Sequence, residues 1–160
     1  MSRFGFRIEI SGLVQGVGFR PFVFALATKN RLFGEVYNDT KGVVIVLLCD
    51  ENQLNAFVSE LKENLPKLAK IEKIIINECE CPPYKDFAIS PSQINLKTSA
   101  ILSDFSFCEQ CKKEFYEPEN PRFHYPFITC THCGVRFSIV KSLPYDRANK
   151  IGRASCRERV

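Results

Sequence analysis

The chain has 160 residues, of which 45% are hydrophobic and 25% are charged, so we expect a soluble chain that forms one globular domain or two small ones. Its formal net charge of +4 suits an anionic ligand, but it is too dispersed for a typical nucleic-acid-binding protein. Apolar runs such as residues 43–49 are shorter than the ~18 residues that cross a bilayer, and the N-terminus has no signal-peptide core, so we expect a cytoplasmic protein with no membrane partner.

The first part of the chain begins with the pattern strand, helix, strand, strand. Apolar and polar residues alternate from residue 4 to residue 10, as in a strand with one buried face. A glycine turn follows, and Pro21 predicts the start of a helix whose apolar stripe ends near Gly34. Residues 35–38 and 43–49 are two predicted strands, and the turn sequence NDTKG between them predicts a hairpin.

A second helix and two further strands complete this pattern. Asp50 or Asn52 is the predicted cap of the helix, in which apolar residues recur at helical spacing from residue 54 to residue 61. The strands are predicted at residues 71–79 and 87–89. The order β-α-β-β-α-β predicts an α+β fold, the ferredoxin-like sandwich, with an antiparallel sheet covered on one face by two helices over residues 1–90.

The rest of the chain divides into three predicted segments. Residues 91–107 have no periodic pattern and form a predicted linker, and residues 108–150 form a small cysteine-rich module. Residues 151–160, IGRASCRERV, can be translated from a common sequencing-library adaptor, so we interpret them as an artefact rather than as an ordinary basic tail. On this interpretation Cys156 is not a ligand, and the chain is an N-terminal fragment of a protein that continues beyond about Lys150.

The turn sequence GLVQGVGFRPF at residues 12–22 places two glycines and an arginine between a strand and a helix. Backbone N–H groups in such a turn, at the positive end of a helix, can form a concave site for phosphate or carboxylate. Gly16 and Gly18 allow a close approach, and the planar guanidinium of Arg20 can bind two phosphate oxygens. On its own, the pattern is also that of a simple tight turn.

GLVQGVGFR resembles the signature of the acylphosphatase family, and GEVYNDTKGVV resembles the second motif of that family. The resemblance covers about residues 3–89 and implies the ferredoxin-like fold. It implies that Arg20 is the catalytic, phosphate-binding arginine and that Asn38 positions the attacking water, although Asn38 could also be a simple turn residue. The implied phosphate-binding residues are Gln15, Gly16, Val17, Gly18, Phe19 and Arg20.

The residue types of this segment limit the chemistry. Residues 1–90 contain no histidine, and a guanidinium does not act as a base, so general-base catalysis is not evident. An acyl phosphate or carbamoyl phosphate has a good leaving group, so binding the phosphoryl oxygens and orienting a water can suffice. We hypothesise that a phosphate oxygen of the substrate accepts the proton of the water.

Four of the eight cysteines have the spacing C-x2-C-x18-C-x2-C, which is typical of a zinc site. Four thiolates leave no coordination position for water, so the predicted zinc is structural; buried thiols and a disulfide pair are the alternatives. His124 and His132 are predicted to be surface or packing residues. The predicted zinc ligands are Cys108, Cys111, Cys130 and Cys133, and the predicted small apolar residues are Cys49, Cys79 and Cys81.

The order of the two modules, the second beginning SDFSFCEQCKKEF, resembles the N-terminal part of the hydrogenase maturation carbamoyltransferase family. The resemblance covers nearly all of residues 3–147; Val135 stands where that family usually has proline. It implies a whole protein that converts carbamoyl phosphate and ATP into a carbamoyl adenylate. It also implies transfer of the carbamoyl group to the C-terminal cysteine of a partner maturation protein, as a precursor of the cyanide ligands of nickel-iron hydrogenase.

Only part of that activity is expected of this chain. ATP binding and transfer belong to domains that follow the first zinc module in that family, so the expected activity here is hydrolysis of carbamoyl phosphate to carbamate and phosphate. One alternative is a stand-alone acylphosphatase with a zinc ribbon. A second is a non-enzymatic nucleic-acid-binding module, because both folds bind RNA or DNA in other proteins.

Overall fold

The computed structural model describes residues 3–93, 106–130, 133–134, 137–142, 149 and 151. Residues 3–89 form one sheet and two helices, and the cysteine-rich part contains one short helix and one turn of 3-10 helix. The elements are β1 Arg3–Leu13, α1 Phe19–Lys29, β2 Phe33–Asn38, β3 Gly42–Leu48, α2 Glu51–Glu63, β4 Lys70–Cys81, β5 Phe87–Ile89, α3 Glu109–Tyr116 and the 3-10 turn Phe137–Ile139.

The sheet has five strands in the order β4-β1-β3-β2-β5. Strand β1 is antiparallel to both β3 and β4, and β2 is antiparallel to β3, as the hairpin prediction requires. Strand β5 joins the edge of the sheet parallel to β2. The sheet is therefore mixed, whereas the predicted sheet was purely antiparallel. The ferredoxin-like α+β class is confirmed, because the element order and the antiparallel pairing of β1 with both β3 and β4 are those of that fold.

The core lies between one face of the sheet and the two helices. Alternate residues of β1 and β3 point into it, which is the period of two that the sequence of β1 predicts. The helices contribute apolar residues at helical spacing. The buried residues from these elements include Ile8, Ile10, Ile45 and Leu47 of the sheet and Val23, Leu26, Leu54, Phe57 and Leu61 of the helices.

The two helices begin in different ways. Helix α1 starts at Phe19, two residues before the predicted start at Pro21, because Gly18 takes a left-handed conformation with φ of 77° and its carbonyl accepts the N–H of Phe22 at 3.2 Å. Pro21 remains within the first turn, where no helical N–H is required. Helix α2 is capped by Asp50, as predicted, and Asp50 and Gln53 form a reciprocal capping box.

Cys49 and Cys81 are packed in apolar surroundings, as predicted for small apolar residues. Cys49 lies against the main core, and Cys81 is buried on the opposite face of the sheet with Tyr37 and Val46. Burial raises the pKa of Cys49 to about 11 and that of Cys81 to about 12, so both are neutral thiols near pH 7. Cys79 is half-buried beside this second cluster.

Some predictions concern residues outside the described ranges. These are residues 94–105 of the predicted linker, His132 and Val135 in the cysteine-rich part, and residues 152–160 of the predicted artefact, including Cys156. Among the helices that are described, none is both long and apolar enough to cross a membrane.

Candidate functional site

The glycine turn between β1 and α1 is a loop with an unusual backbone. Pairing of β1 with β4 shifts register after Ser11, and Gly12 has φ of 123°. Gly16 and Gly18 have φ of 73° and 77°, a conformation that glycine adopts without steric cost. The side chains of Val17 and Phe19 are fully buried in the core, so the loop backbone is held in place. We call residues 12–18 the anion loop.

Arg20 is the second residue of α1, two positions beyond the anion loop. The first turn of α1 contains no acidic residue, so the guanidinium adds its charge to the positive end of the helix. Arg20 Nη1 donates a hydrogen bond to Ser92 Oγ at 3.2 Å, which orients the guanidinium. The arrangement is suited to binding an anion at the start of α1.

Asn38 is the last residue of β2, and it is only 1% exposed. Within the described part of the chain, neither its Oδ1 nor its Nδ2 has a hydrogen-bonding partner. A buried polar group without a partner costs about 1–3 kcal/mol, so native proteins keep very few of them. An amide that presents both a donor and an acceptor in this way can orient a water molecule.

Gln15 connects the anion loop to the β2–β3 hairpin. Its Nε2 donates to the backbone oxygens of Asp39 at 2.8 Å and Gly42 at 2.7 Å, the two ends of the hairpin turn. Asp39 Oδ1 accepts the N–H of Gly42 at 2.7 Å within that turn. The loop and the end of β2 that carries Asn38 are therefore tied together by one side chain.

Consecutive residues after β5 connect the neighbourhoods of Arg20 and Asn38. Ser92 accepts the hydrogen bond from Arg20, and the N–H of Gln93 donates to the backbone oxygen of Asn38 at 2.8 Å. Ser92 and Gln93 lie in the predicted linker, for which the sequence predicts no role in a site. Neither residue belongs to a motif, so nothing in the sequence pattern could have identified them.

The four predicted zinc ligands come together in the second part of the chain. Their sulfur atoms all lie within 4.8 Å of one another. The Sγ atoms of Cys108 and Cys130 are 3.7 Å apart, those of Cys111 and Cys133 are 3.9 Å apart, and those of Cys130 and Cys133 are 3.8 Å apart. A tetrahedral zinc with Zn–S bonds of about 2.3 Å separates its ligands by about 3.8 Å. The donor set and its spacing therefore fit zinc.

The elements around this cluster keep the sulfurs close. Cys108 precedes α3 and Cys111 lies in its first turn, which places both sulfurs on one side of the helix. Contact with neighbouring thiols, chiefly Cys130, raises the pKa of Cys111, whereas hydrogen bonds from Cys111 and Cys130 lower the pKa of Cys133. A bound metal would lower the pKa of its thiol ligands, because the thiolate is the form that binds it.

His124 lies outside the group of four sulfurs. Its ring stacks on Phe123 with centroids 3.9 Å apart, and the backbone N–H of His124 donates to the Phe115 carbonyl at 2.9 Å. The ring also lies 5.4 Å from that of Phe115. His124 therefore contributes to aromatic packing, as the sequence predicted.

The anion loop, the buried asparagine and the ferredoxin-like sheet define a class of enzyme. Residues 6–89 match the acylphosphatase family, and residues 107–140 match the family described as HypF finger. The chain is 38% identical over 90 residues to an acylphosphatase of Photorhabdus laumondii and covers 98% of that protein. The chain therefore belongs to the acylphosphatase family and carries an enzymatic domain, followed by a HypF-type finger.

Other relatives contain both modules. The chain is 43% identical over 140 residues to carbamoyltransferase HypF of a Synechocystis species, a match that covers 88% of this chain and 18% of the relative. A crystal structure of full-length HypF in a phosphate- and nucleotide-bound form is 44% identical, with a TM-score of 0.80 over 94% of this chain and 20% of the other. The predicted resemblance is confirmed, and the chain spans about a fifth of the length of these carbamoyltransferase relatives.

Proposed function

We propose that residues 3–93 hydrolyse carbamoyl phosphate to carbamate and phosphate, as the first step of a carbamoyl transfer in nickel-iron hydrogenase maturation. The single observation that carries this proposal is that Arg20, at the start of α1, and Asn38, with its buried and unpartnered amide, are each contacted by one of two consecutive residues. Ser92 and Gln93 connect the two residues, and Gln15 ties the loop to the hairpin. The similarity to carbamoyltransferase HypF over 88% of the chain supports carbamoyl phosphate as the substrate.

The chain's own residues are sufficient for this reaction. The backbone of the anion loop and the Arg20 guanidinium bind the phosphoryl oxygens, and the fixed charges stabilise them in the transition state. Asn38 orients a water whose oxygen attacks phosphorus, while the bond from phosphorus to the carbamoyl oxygen breaks and carbamate leaves. The proton of the water passes to a phosphoryl oxygen. Both histidines of the sequence follow residue 93, so no imidazole base comes from this part of the chain.

The cysteine-rich module has a structural part in this proposal. Four thiolates complete a tetrahedral zinc shell, so Cys108, Cys111, Cys130 and Cys133 would hold the metal and leave no position for a substrate. Activation with ATP and transfer to the C-terminal cysteine of a partner protein are assigned to further domains of a longer protein. We place the reaction in the cytoplasm, where free thiols persist.

The test of the substrate is a comparison of phosphate release from carbamoyl phosphate and from acetyl phosphate by the zinc-loaded chain. A higher kcat/KM for carbamoyl phosphate supports the proposal. Equal turnover of both substrates, or a preference for acetyl phosphate, would favour a general acylphosphatase. That second candidate is supported by the match to 98% of the Photorhabdus laumondii enzyme.

The proposed role of Asn38 predicts a defect in the chemical step. In Asn38→Ala, kcat should fall by about 10²-fold or more with a small change in KM, because the phosphoryl group is still bound while the water is no longer oriented. Steady-state phosphate release measures both constants. The matched control is Asn55→Ala, an exposed asparagine on α2. A wild-type kcat in Asn38→Ala would contradict the assignment.

A further inference from the structure

The cysteine-rich module touches the anion loop through Gly134. A Cβ atom placed on Gly134 would lie 2.5 Å from the backbone oxygen of Gly16 and 3.1 Å from Cα of Val17. Gly134 also has φ of 72°, which strains any other residue. Only glycine fits this contact without moving the loop or the module.

The contact with Gly134 sets the orientation of the Gly16–Val17 peptide in the anion loop. The distance from a Cβ atom placed on Gly134 is 2.5 Å to the Gly16 carbonyl oxygen and 3.4 Å to the Gly16 carbonyl carbon. The carbonyl group therefore points towards Gly134. In a trans peptide the C=O and N–H groups point in opposite directions. The N–H of Val17 therefore points away from Gly134, and contact on the carbonyl side fixes the plane in which this donor lies.

Gly134 is itself held by the four-cysteine site. Its N–H donates to the backbone oxygen of Cys130 at 3.0 Å, and the buried hydroxyl of Thr129 hydrogen-bonds to its carbonyl. Cys130 and Cys133 are two of the four sulfurs that fit zinc. We call the turn formed by Cys130, Cys133 and Gly134 the zinc knuckle.

We propose that the zinc knuckle positions the anion loop, so that zinc binding and phosphate binding in this chain are thermodynamically coupled. Gly134 is a positioning residue, since it acts through the Gly16–Val17 peptide and does not touch the substrate. The inference rests on the proposed function in one respect, namely that the anion loop is where the phosphoryl group binds. It adds to that proposal a dependence of the site on a metal outside it.

Coupling of this kind is reciprocal. If zinc raises the affinity for inorganic phosphate by some factor, phosphate raises the affinity for zinc by the same factor. The two affinities can be measured separately, and neither measurement requires turnover. A module that only adds stability would give no such factor.

The experiment titrates inorganic phosphate into the zinc-loaded chain and into the same chain after chelation, with calorimetric detection. We expect a Kd for phosphate about tenfold higher without zinc, which lies within the range of about 5–150-fold that is typical of coupling between two sites. Chelator competition for zinc, with and without phosphate, should give the same factor. In Arg20→Ala, which lacks the phosphate ligand, phosphate should no longer change zinc affinity.

Two variants locate the coupling. Gly134→Ala should raise the Kd for phosphate by a similar factor in the zinc-loaded chain, with KM raised more than kcat is lowered. Gly5→Ala is the matched control, because its Cβ would lie 2.3 Å from the Leu47 backbone oxygen at the other end of β1. It should lower the melting temperature without changing phosphate affinity. If Gly134→Ala does not fold, the zinc and phosphate titrations of the wild-type chain still decide the matter.

The outcomes separate this inference from the proposed function. Equal phosphate affinity with and without zinc, together with normal hydrolysis of carbamoyl phosphate, would overturn the coupling and leave the function intact. Coupled binding without hydrolysis of any acyl phosphate would overturn the function and leave the coupling intact. A wild-type chain that binds no phosphate would overturn both.

Discussion

Replacement of Arg20 by alanine should reduce kcat/KM for carbamoyl phosphate by about 10³-fold or more, since an arginine that stabilises phosphoryl charge contributes factors of this order. The guanidinium lies at the start of α1 and is oriented by Ser92, so no neighbouring residue in this turn supplies an equivalent planar pair of donors. Phosphate release from carbamoyl phosphate and binding of inorganic phosphate both measure the loss.

Two further variants make this result specific. Arg20→Lys keeps the charge but removes the planar fork, and it should recover only a small part of the lost activity. Arg31→Ala removes an exposed arginine just beyond the other end of α1 and should behave like the wild-type chain. Hydrolysis by Arg20→Ala at the wild-type rate would show that the phosphoryl group binds elsewhere.

Replacement of Cys111 by serine should have the second large effect, on the metal. Zinc sites of this kind contribute about 10–16 kcal/mol of binding free energy, and Cys111 is the fully buried member of the four. The Kd for zinc, measured by chelator competition, should rise by several orders of magnitude. The near-ultraviolet circular dichroism of the aromatic residues around the site, which include Phe107 and Phe115, should change with it.

The matched control for the metal is Cys79→Ser. Cys79 is a half-buried thiol on β4, outside the group of four sulfurs. This variant should retain one zinc per chain with unchanged affinity. A wild-type chain that is prepared with zinc and retains none after dialysis would contradict the zinc assignment, as would a Cys111→Ser variant with wild-type zinc affinity.

The strands and helices of residues 3–89 were largely predictable, because the sequence patterns that specify them extend over only a few neighbouring residues. The alternation in β1 and the cap at Asp50 depend on residues within a few positions of each other. The predicted start of α1 was wrong by two residues, because Pro21 is tolerated anywhere in a first turn and the left-handed Gly18 sets the boundary. Its predicted end near Gly34 was also wrong, because α1 ends at Lys29, Arg31 takes a left-handed conformation and Gly34 already lies in β2.

The site was predictable only as far as its motifs extend. Arg20, Asn38 and Gln15 all stand in recognisable motifs, but the motif does not reveal that Gln15 acts through backbone oxygens more than 20 positions away. Ser92 and Gly134 contact the site across still longer separations. Such contacts depend on how strands and modules are placed in space, and backbone acceptors have no residue type that a sequence pattern could reveal.

The two helices differ in N-terminal capping, and this difference affects the mobility of the first turn of α1. Helix α2 closes its own first turn through Asp50 and Gln53, whereas α1 begins at a glycine that has no side chain to accept from the turn. An anion bound at the loop would do for α1 what Asp50 does for α2. The first turn of α1 should therefore open more readily before substrate binds, and part of the binding free energy is spent on ordering it. If the proposed function is correct, substrate binding would also complete the first turn of α1.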